Sequence, residues 1–320
     1  MKQPKVSVCV PIYCVEKYIE QCARSLFEQT LNDIEFVFVD DCSPDKSVDV
    51  LERIIKDYPQ RLEQIKLIRH EKNQGHCGVF KTLLTNASGK YVITCDSDDW
   101  VELDMYEKMY QKAEETKAEV ICCDYYLENS KTRTYGISHF EGSSDDRIRA
   151  WVRREYAAYS WATMVHRSLI DKLEYIPCGY VEDCVRACQV LCNTSSYAYI
   201  TEALYHYRSQ GQGVTTYAKQ KFRMEMHCIA YDWITNFLYQ KYGEHYETEL
   251  NVAKLLIKFS WCRFGLIPEF YNVWPEANRS SLLKQLPLPI KKKILVWLAL
   301  SHQKWLFNTL IRVYNLIKKK

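Results

Sequence analysis

The strongest constraint on this 320-residue chain is an alternation of two periodicities over residues 6–124. Short β-rich runs at 6–12, 34–39, 65–68, 91–95 and 119–123 are separated by stretches at 16–30, 46–57, 78–87 and 103–115. The intervening stretches carry apolar residues at helical spacing, such as Val48, Leu51, Ile54 and Ile55. Strands alternating with helices of this length require βαβ crossovers, and so an α/β fold with a mostly parallel central sheet flanked by helices. In such sheets ligands bind beyond the carboxyl ends of the strands.

After about residue 125 the pattern changes. Residues 145–154, 167–173 and 183–192 read as helices and 203–208 as a strand. From about residue 217 the chain reads as helical, with breaks near Gly243, Gly265, Pro268, Pro275, Pro287 and Pro289. Apolar residues are 47% and charged residues 26%, which excludes a disordered chain. The 14 cysteines fall largely inside apolar runs and read as reduced core residues of a cytoplasmic protein. Cys184, Cys188 and Cys192 share a helical face, but without metal-ligand spacing they read as core.

Carboxylates gather at the strand ends. Asp96, Asp98 and Asp99 follow one strand, and holding three like charges together is costly unless a cation neutralises them. Hard oxygen ligands favour Mg²⁺ or Mn²⁺, which also bind substrate phosphates. A solvated turn capping the next helix is the competing reading. Asp40 and Asp41 end another strand, where one carboxylate could accept from a nucleobase N–H; an N-cap is the alternative. Glu182-Asp183 opens a helix, suiting either a general base or pairing with the helix macrodipole. Neither a dinucleotide fingerprint nor a P-loop is present, and no G-x-S-x-G elbow points to a serine hydrolase.

Six blocks in order over residues 6–100 resemble the family 2 glycosyltransferases: 6–13, 25–30, 38–45, 73–75, 87–91 and 96–100. The resemblance implies a GT-A (Rossmann-like) fold and inverting sugar transfer from a nucleotide-sugar donor. It implies that Pro11, Tyr13, Asp41 and Asp40 bind the donor nucleotide, with Asp41 toward the base. Asp96 and Ser97 would serve the donor, and Asp96 and Asp98 the metal–pyrophosphate. Of the acidic pair, Asp183 is preferred as base and Glu182 is second. The segments 205–208 and 213–216 resemble the part that closes over the donor. Three departures stand out: Cys14 replaces a usual Asn, Cys42 a usual Gly, and residues 76–81 a segment with a basic contact that Lys81 or His76 would supply. His206 is a further candidate metal ligand, against the commoner role of a structural histidine. The expected domains are 1–216, with a nucleotide-sugar half to about 124 and an acceptor half from 125, and a helical region 217–320.

The net charge of +3 hides an asymmetry. Residues 277–320 contain ten Lys or Arg and no Asp or Glu, leaving −7 for the rest. With Trp297, Trp305 and Tyr314 and two Lys triplets, residues 290–320 read as an amphipathic helix on an anionic membrane surface. The alternatives are packing on the protein body and, least favoured, nucleic-acid binding. No run reaches the ~20 apolar residues needed to span a bilayer. The expected protein is therefore a glycosyltransferase peripheral to the inner face of the cell membrane. It would pass a sugar from a UDP-sugar to a saccharide or lipid-linked saccharide, in surface polysaccharide synthesis. The rival classes are a sugar-phosphate nucleotidyltransferase and a non-catalytic sugar-nucleotide-binding protein.

Overall fold

The computed structural model describes residues 3–209, 218–262, 266–301, 305–307 and 309–311. The chain divides into two compact units, 1–142 with 157–213, and 143–156 with 214–320.

The first unit follows the alternation read from the sequence: β1 (Val6–Ile12), α1 (Ile19–Phe27), β2 (Ile34–Asp40), α2 (Ser47–Asp57), β3 (Ile65–Arg69), α3 (Gly75–Asn86) and β4 (Tyr91–Thr94). Then come β5 (Trp100–Val101), α4 (Met105–Thr116), β6 (Val120–Glu128) and β7 (Arg133–Gly136). Next in the chain is α5 (Ser144–Val152), which belongs to the second unit. The first unit closes with β8 (Thr163–His166), α6 (Arg167–Ile170), α7 (Glu182–Asn193) and β9 (Tyr197–Arg208).

The strands form one sheet in the order β3-β2-β1-β4-β8-β6-β9-β5, with β7 paired to β6. From β3 to β4 every pairing is parallel. Beyond β4 the sheet is mixed, because β8 enters antiparallel to both β4 and β6. Every residue of β2 is buried, as a strand covered on both faces must be. Phe36 and Phe38 pack with α1 and its neighbours on one face, Val37 and Val39 with α3 on the other, the two-residue period of a strand. On α1 the buried residues Ile19, Cys22, Ala23, Leu26 and Phe27 form one stripe.

Three short strands, β5, β7 and β8, were not expected from the sequence. Each has four residues or fewer and takes its conformation from pairing with longer neighbours. The strand expected at 203–208 is the end of a longer one, bent by irregular pairing near Cys123 and Asp124. Helix α3 begins three residues before the expected start, after Gly75 turns the chain at φ +70°.

The second unit also holds α8 (Ala218–Tyr242), α9 (Glu247–Cys262), α10 (Ile267–Asn272) and α11 (Ile290–Leu300). Gly243, at φ +62°, ends α8. Lys258 is fully buried in this unit and donates to Val273 O (2.8 Å), Trp274 O (2.9 Å) and Asn278 Oδ1 (2.7 Å). No helix among the described residues is long and apolar enough to cross a membrane.

Candidate active site

The parallel strands end at one edge of the first unit, and the loops leaving that edge carry the acidic clusters. Ile12 lies opposite Asp40 in the β1–β2 register, and the Asp41 amide donates to Ile12 O at 3.0 Å. Pro11 is half-buried within β1, and Tyr13, just past its end, is 51% exposed.

Asp41 is buried and heavily used. Its carboxylate accepts from the Gln74 amide (2.8 Å) and the Gly75 amide (2.9 Å), and pairs with His70 Nδ1 at 2.8 Å. The Asn73 side-chain amide donates to Asp41 O at 3.1 Å. The Asn-Gln-Gly block is thus a loop folded around Asp41, and a carboxylate's roughly four acceptor positions leave room for one more donor. Asp40 accepts from the Ser43 amide at 3.0 Å, and burial raises its pKa. Ser43 in turn accepts from the Cys14 amide at 2.8 Å, which ties the two loops together.

Cys14 and Cys42 both adopt left-handed backbone, at φ +55° and +58°. Asn and Gly are the residues that enter this region at least cost, so the two departures from the family pattern fall where its usual residues suit the backbone.

The loop between β4 and β5 concentrates charge. Burial, then Asp98 and Asp183, push the Asp96 carboxyl up to about 7. Burial, then Asp96 and Asp98, push Asp99 up to about 8. Asp98 is raised too, chiefly by burial. Ser97 is buried between them. Asp99 accepts from Tyr205 Oη (2.8 Å) and the Arg208 amide (2.7 Å), so it is committed to holding the loop against β9. The Arg208 guanidinium donates to Asp98 O at 2.8 Å and lies 4.7 Å from the Trp100 ring centre. Trp161 stacks on Tyr205 behind it, with ring centres 4.4 Å apart.

The acidic pair begins α7. Asp183 is exposed and bonds only to the next amide, Cys184, at 2.7 Å, among the contacts described. Its charge adds to the raised Asp96 pKa, after burial and Asp98. Glu182 is buried, 3.7 Å from Arg186 and 4.0 Å from His76, with Oε2 lacking a hydrogen-bond partner. Desolvation raises its pKa. Lys81 is exposed on α3, its ammonium 6.0 Å from the Tyr175 ring centre.

His206 has both ring nitrogens taken, by Glu128 (2.8 Å) and Glu102 (2.9 Å), and stacks on Trp100 at 4.9 Å. In this arrangement neither nitrogen is free to ligate a metal. No group of three or more His, Cys, Asp or Glu among the described residues is arranged as a complete metal site. The mutually repelling, partly desolvated Asp96 and Asp98 nevertheless fit a hard divalent cation that also takes oxygens from a substrate. The segment 213–216 lies outside the described residues. Tyr205, Arg208, His70, Trp161 and Arg186 support the site from a distance in sequence, and only Tyr205 and Arg208 lay in a block the sequence singled out.

A sheet that is parallel through β4 and mixed beyond it, with carboxylates clustered after β4, defines the GT-A class of glycosyltransferase folds. The description "Glycosyl transferase family 2" matches residues 7–174, and the chain belongs to that family. The glycosyltransferase EpsH of Bacillus subtilis is 30% identical over 298 residues, covering 89% of this chain and 82% of EpsH. EpsJ of the same organism is 28% identical over 222 residues, and this chain spans 63% of its length. S. aureus TarS 1–349, solved in complex with UDP-GlcNAc, is 21% identical with a TM-score of 0.69, over 98% of this chain and 92% of that one.

Proposed function

We propose that this protein transfers a sugar from a UDP-sugar to a hydroxyl of a saccharide or lipid-linked saccharide, in a single displacement that inverts the anomeric centre. The observation that carries the reading is the cluster of partly desolvated carboxylates Asp96 and Asp98 after β4, together with the exposed Asp183 carboxylate at the start of α7. The UDP-GlcNAc complex of TarS, on the same fold, supports a UDP-sugar donor.

In this reading Pro11, Tyr13, Asp40 and Asp41 line the nucleotide end, with the remaining acceptor position of Asp41 toward the base. Asp96 and Ser97 serve the ribose and diphosphate, and Lys81 is a donor-side cation. Asp96 and Asp98 hold Mn²⁺ or Mg²⁺. When bound, the cation supplies positive charge against the departing diphosphate. Asp183 accepts the proton of the attacking hydroxyl, at ~2.6–3.2 Å in the productive complex. Glu182, buried beside Arg186, supports the start of α7 rather than exchanging protons with solvent. Arg208 and Tyr205 position the metal-binding loop through Asp98 O and Asp99.

Two variants test this. Asp183→Asn should lower transfer by roughly 10²–10⁴-fold while keeping the thermal shift given by UDP-sugar with Mn²⁺. Asp98→Ala should lose that shift. Full transfer by Asp183→Asn, or no shift of the parent protein with any nucleotide, would overturn the reading.

The C-terminal region is proposed to lie on an anionic membrane surface, on the cytoplasmic side, where lipid-linked acceptors for surface polysaccharide are presented. Ile290, Ile294 and Trp297 fall on one side of α11 and are 71%, 50% and 47% exposed, and Trp305 is 78% exposed. Lys291 and Lys293 flank that apolar side. Val313, Tyr314, Ile317 and the final lysines lie outside the described residues. Removing residues 290–320 should abolish co-sedimentation with phosphatidylglycerol vesicles; unchanged sedimentation would refute membrane docking.

A further inference from the structure

Within the second unit, α9, α11 and the turn after α5 border a cavity of about 290 Å³. Its apolar walls are Leu256 and Phe259 of α9, Leu288 before α11, Leu295 of α11, and Ile311. Leu256, Phe259 and Ser260 stand three and four residues apart, so they share one face of α9. The volume is near the lower end of small-molecule sites, ~300–1,000 Å³, and suits a single alkyl chain.

Two cations line the same cavity, Arg154 and Lys292, and among the described residues lining it there is no Asp or Glu. Both cations are exposed, so their charge lies where the cavity meets solvent. The turn that carries Arg154 ends α5. The Arg154 amide donates to Trp151 O (3.0 Å) and the Glu155 amide to Ala150 O (2.9 Å), the bond pair of a Schellman turn. Arg154, at φ +61°, occupies the position that glycine usually takes there. Its guanidinium donates to Tyr231 Oη at 3.2 Å. A guanidinium carries five N–H donors, so that bond is compatible with holding a phosphate. The neighbouring carboxylate, Glu155, pairs with Arg153 at 3.0 Å.

At 100° per residue, Lys292 and Leu295 fall on the opposite side of α11 from Ile290, Ile294 and Trp297. The cavity is therefore distinct from the apolar side assigned to the membrane surface.

From this apolar cavity with two cations at its opening we infer that the second unit binds a single-chain lipid phosphate, with the alkyl chain in the cavity and the phosphate against Arg154 and Lys292.

Charge complementarity selects this occupant. A phosphate monoester carries about −1.5 to −2 at pH 7, matching two cations, and a guanidinium can bond two of its oxygens at once. A neutral amphiphile would cover two charges without compensating them. A free phosphate would leave the apolar walls in water. A fatty carboxylate brings a single charge. The inference does not rest on the sugar-transfer reading, since it concerns a binding site in the second unit and no step of transfer.

The test is calorimetric titration of the full chain with dodecyl phosphate below its micelle concentration, in the absence of membranes. Dodecyl maltoside, dodecanoate and inorganic phosphate are titrated in parallel. The expected result is one dodecyl phosphate per chain, bound at least tenfold more tightly than any of the other three. Arg154→Gly and Lys292→Gln should each weaken it by roughly tenfold, the loss of one charge-assisted bond. Both variants should fold, because glycine suits the left-handed turn and Lys292 is exposed. Leu256→Trp, which fills the cavity, should weaken dodecyl phosphate binding without changing that of inorganic phosphate. Absence of dodecyl phosphate binding would overturn the inference, as would equal binding of dodecyl maltoside, which marks a general apolar groove. Equal binding of dodecanoate or of inorganic phosphate would overturn the lipid-phosphate assignment. Unchanged affinity in both cation variants would place the ligand elsewhere. A dimer that dodecyl phosphate does not disperse, with no ligand bound, would mean that a second copy of the chain fills the groove.

Discussion

At the residue scale, the backbone conformation of Cys42 carries a stability consequence. A non-glycine residue in the left-handed region costs roughly 1–2 kcal/mol, and Cys42 is such a residue, exposed, with φ +58°. Cys42→Gly removes that strain but adds back some entropy of the unfolded chain. The expected net gain is below about 1 kcal/mol, read as a small rise in the urea midpoint at unchanged slope. A lower midpoint would show that the Cys42 side chain stabilises the loop more than its backbone strains it. The Asp–Asp pair at 40–41 and the Glu–Asp pair at 182–183 were legible as single residues. Their division of labour was not. In the first pair both carboxylates are buried and differ in their partners, in the second Glu182 is buried and Asp183 exposed, and both outcomes are decided by packing that local sequence does not encode.

At the scale of elements, the β4–β5 loop links proton binding to stability. Asp96 and Asp99 titrate at about 7 and about 8 in the folded protein, against an ordinary value of 3.8. Between about pH 4 and pH 8 the folded state therefore holds protons that the unfolded state has released. Stability falls as pH rises through that window, is unaffected by these two groups below it, and levels off above it. The melting temperature of EDTA-treated protein should decline from pH 5 to pH 8. Mn²⁺ should raise it more at pH 8 than at pH 5, because the cation replaces the protons. A metal-free melting temperature that rises across this range would contradict the assignment. Strands β1 to β4 and their helices were legible because each long element repeats its own period. The short strands β5, β7 and β8 were not, since two to four residues contain too little pattern and pairing partners confer the conformation.

At the scale of the whole molecule, each unit has its own interior, and in the second a charge is buried at the centre. Burial lowers the Lys258 pKa to about 8, and three oxygens hold the ammonium. One of them is the carbonyl of Trp274, whose backbone is left-handed at φ +47°. Lys258→Met would leave these acceptors without their donor. It should destabilise the second unit by roughly 3 kcal/mol while UDP-sugar binding, assigned to the first unit, survives. Loss of binding together with that transition would mean that the units do not fold independently.

The sequence by itself determined the class of fold through the period of its strands and helices, and the position of the acidic clusters through their place at strand ends. Both are local properties, carried by residues adjacent in the chain. The tertiary structure alone decided that Arg208 and Tyr205 hold the β4–β5 loop and that His206 is enclosed by Glu102 and Glu128. These partners lie tens of residues or more apart in the chain. Their approach is set by sheet order and helix packing, and no spacing rule along a single chain encodes either.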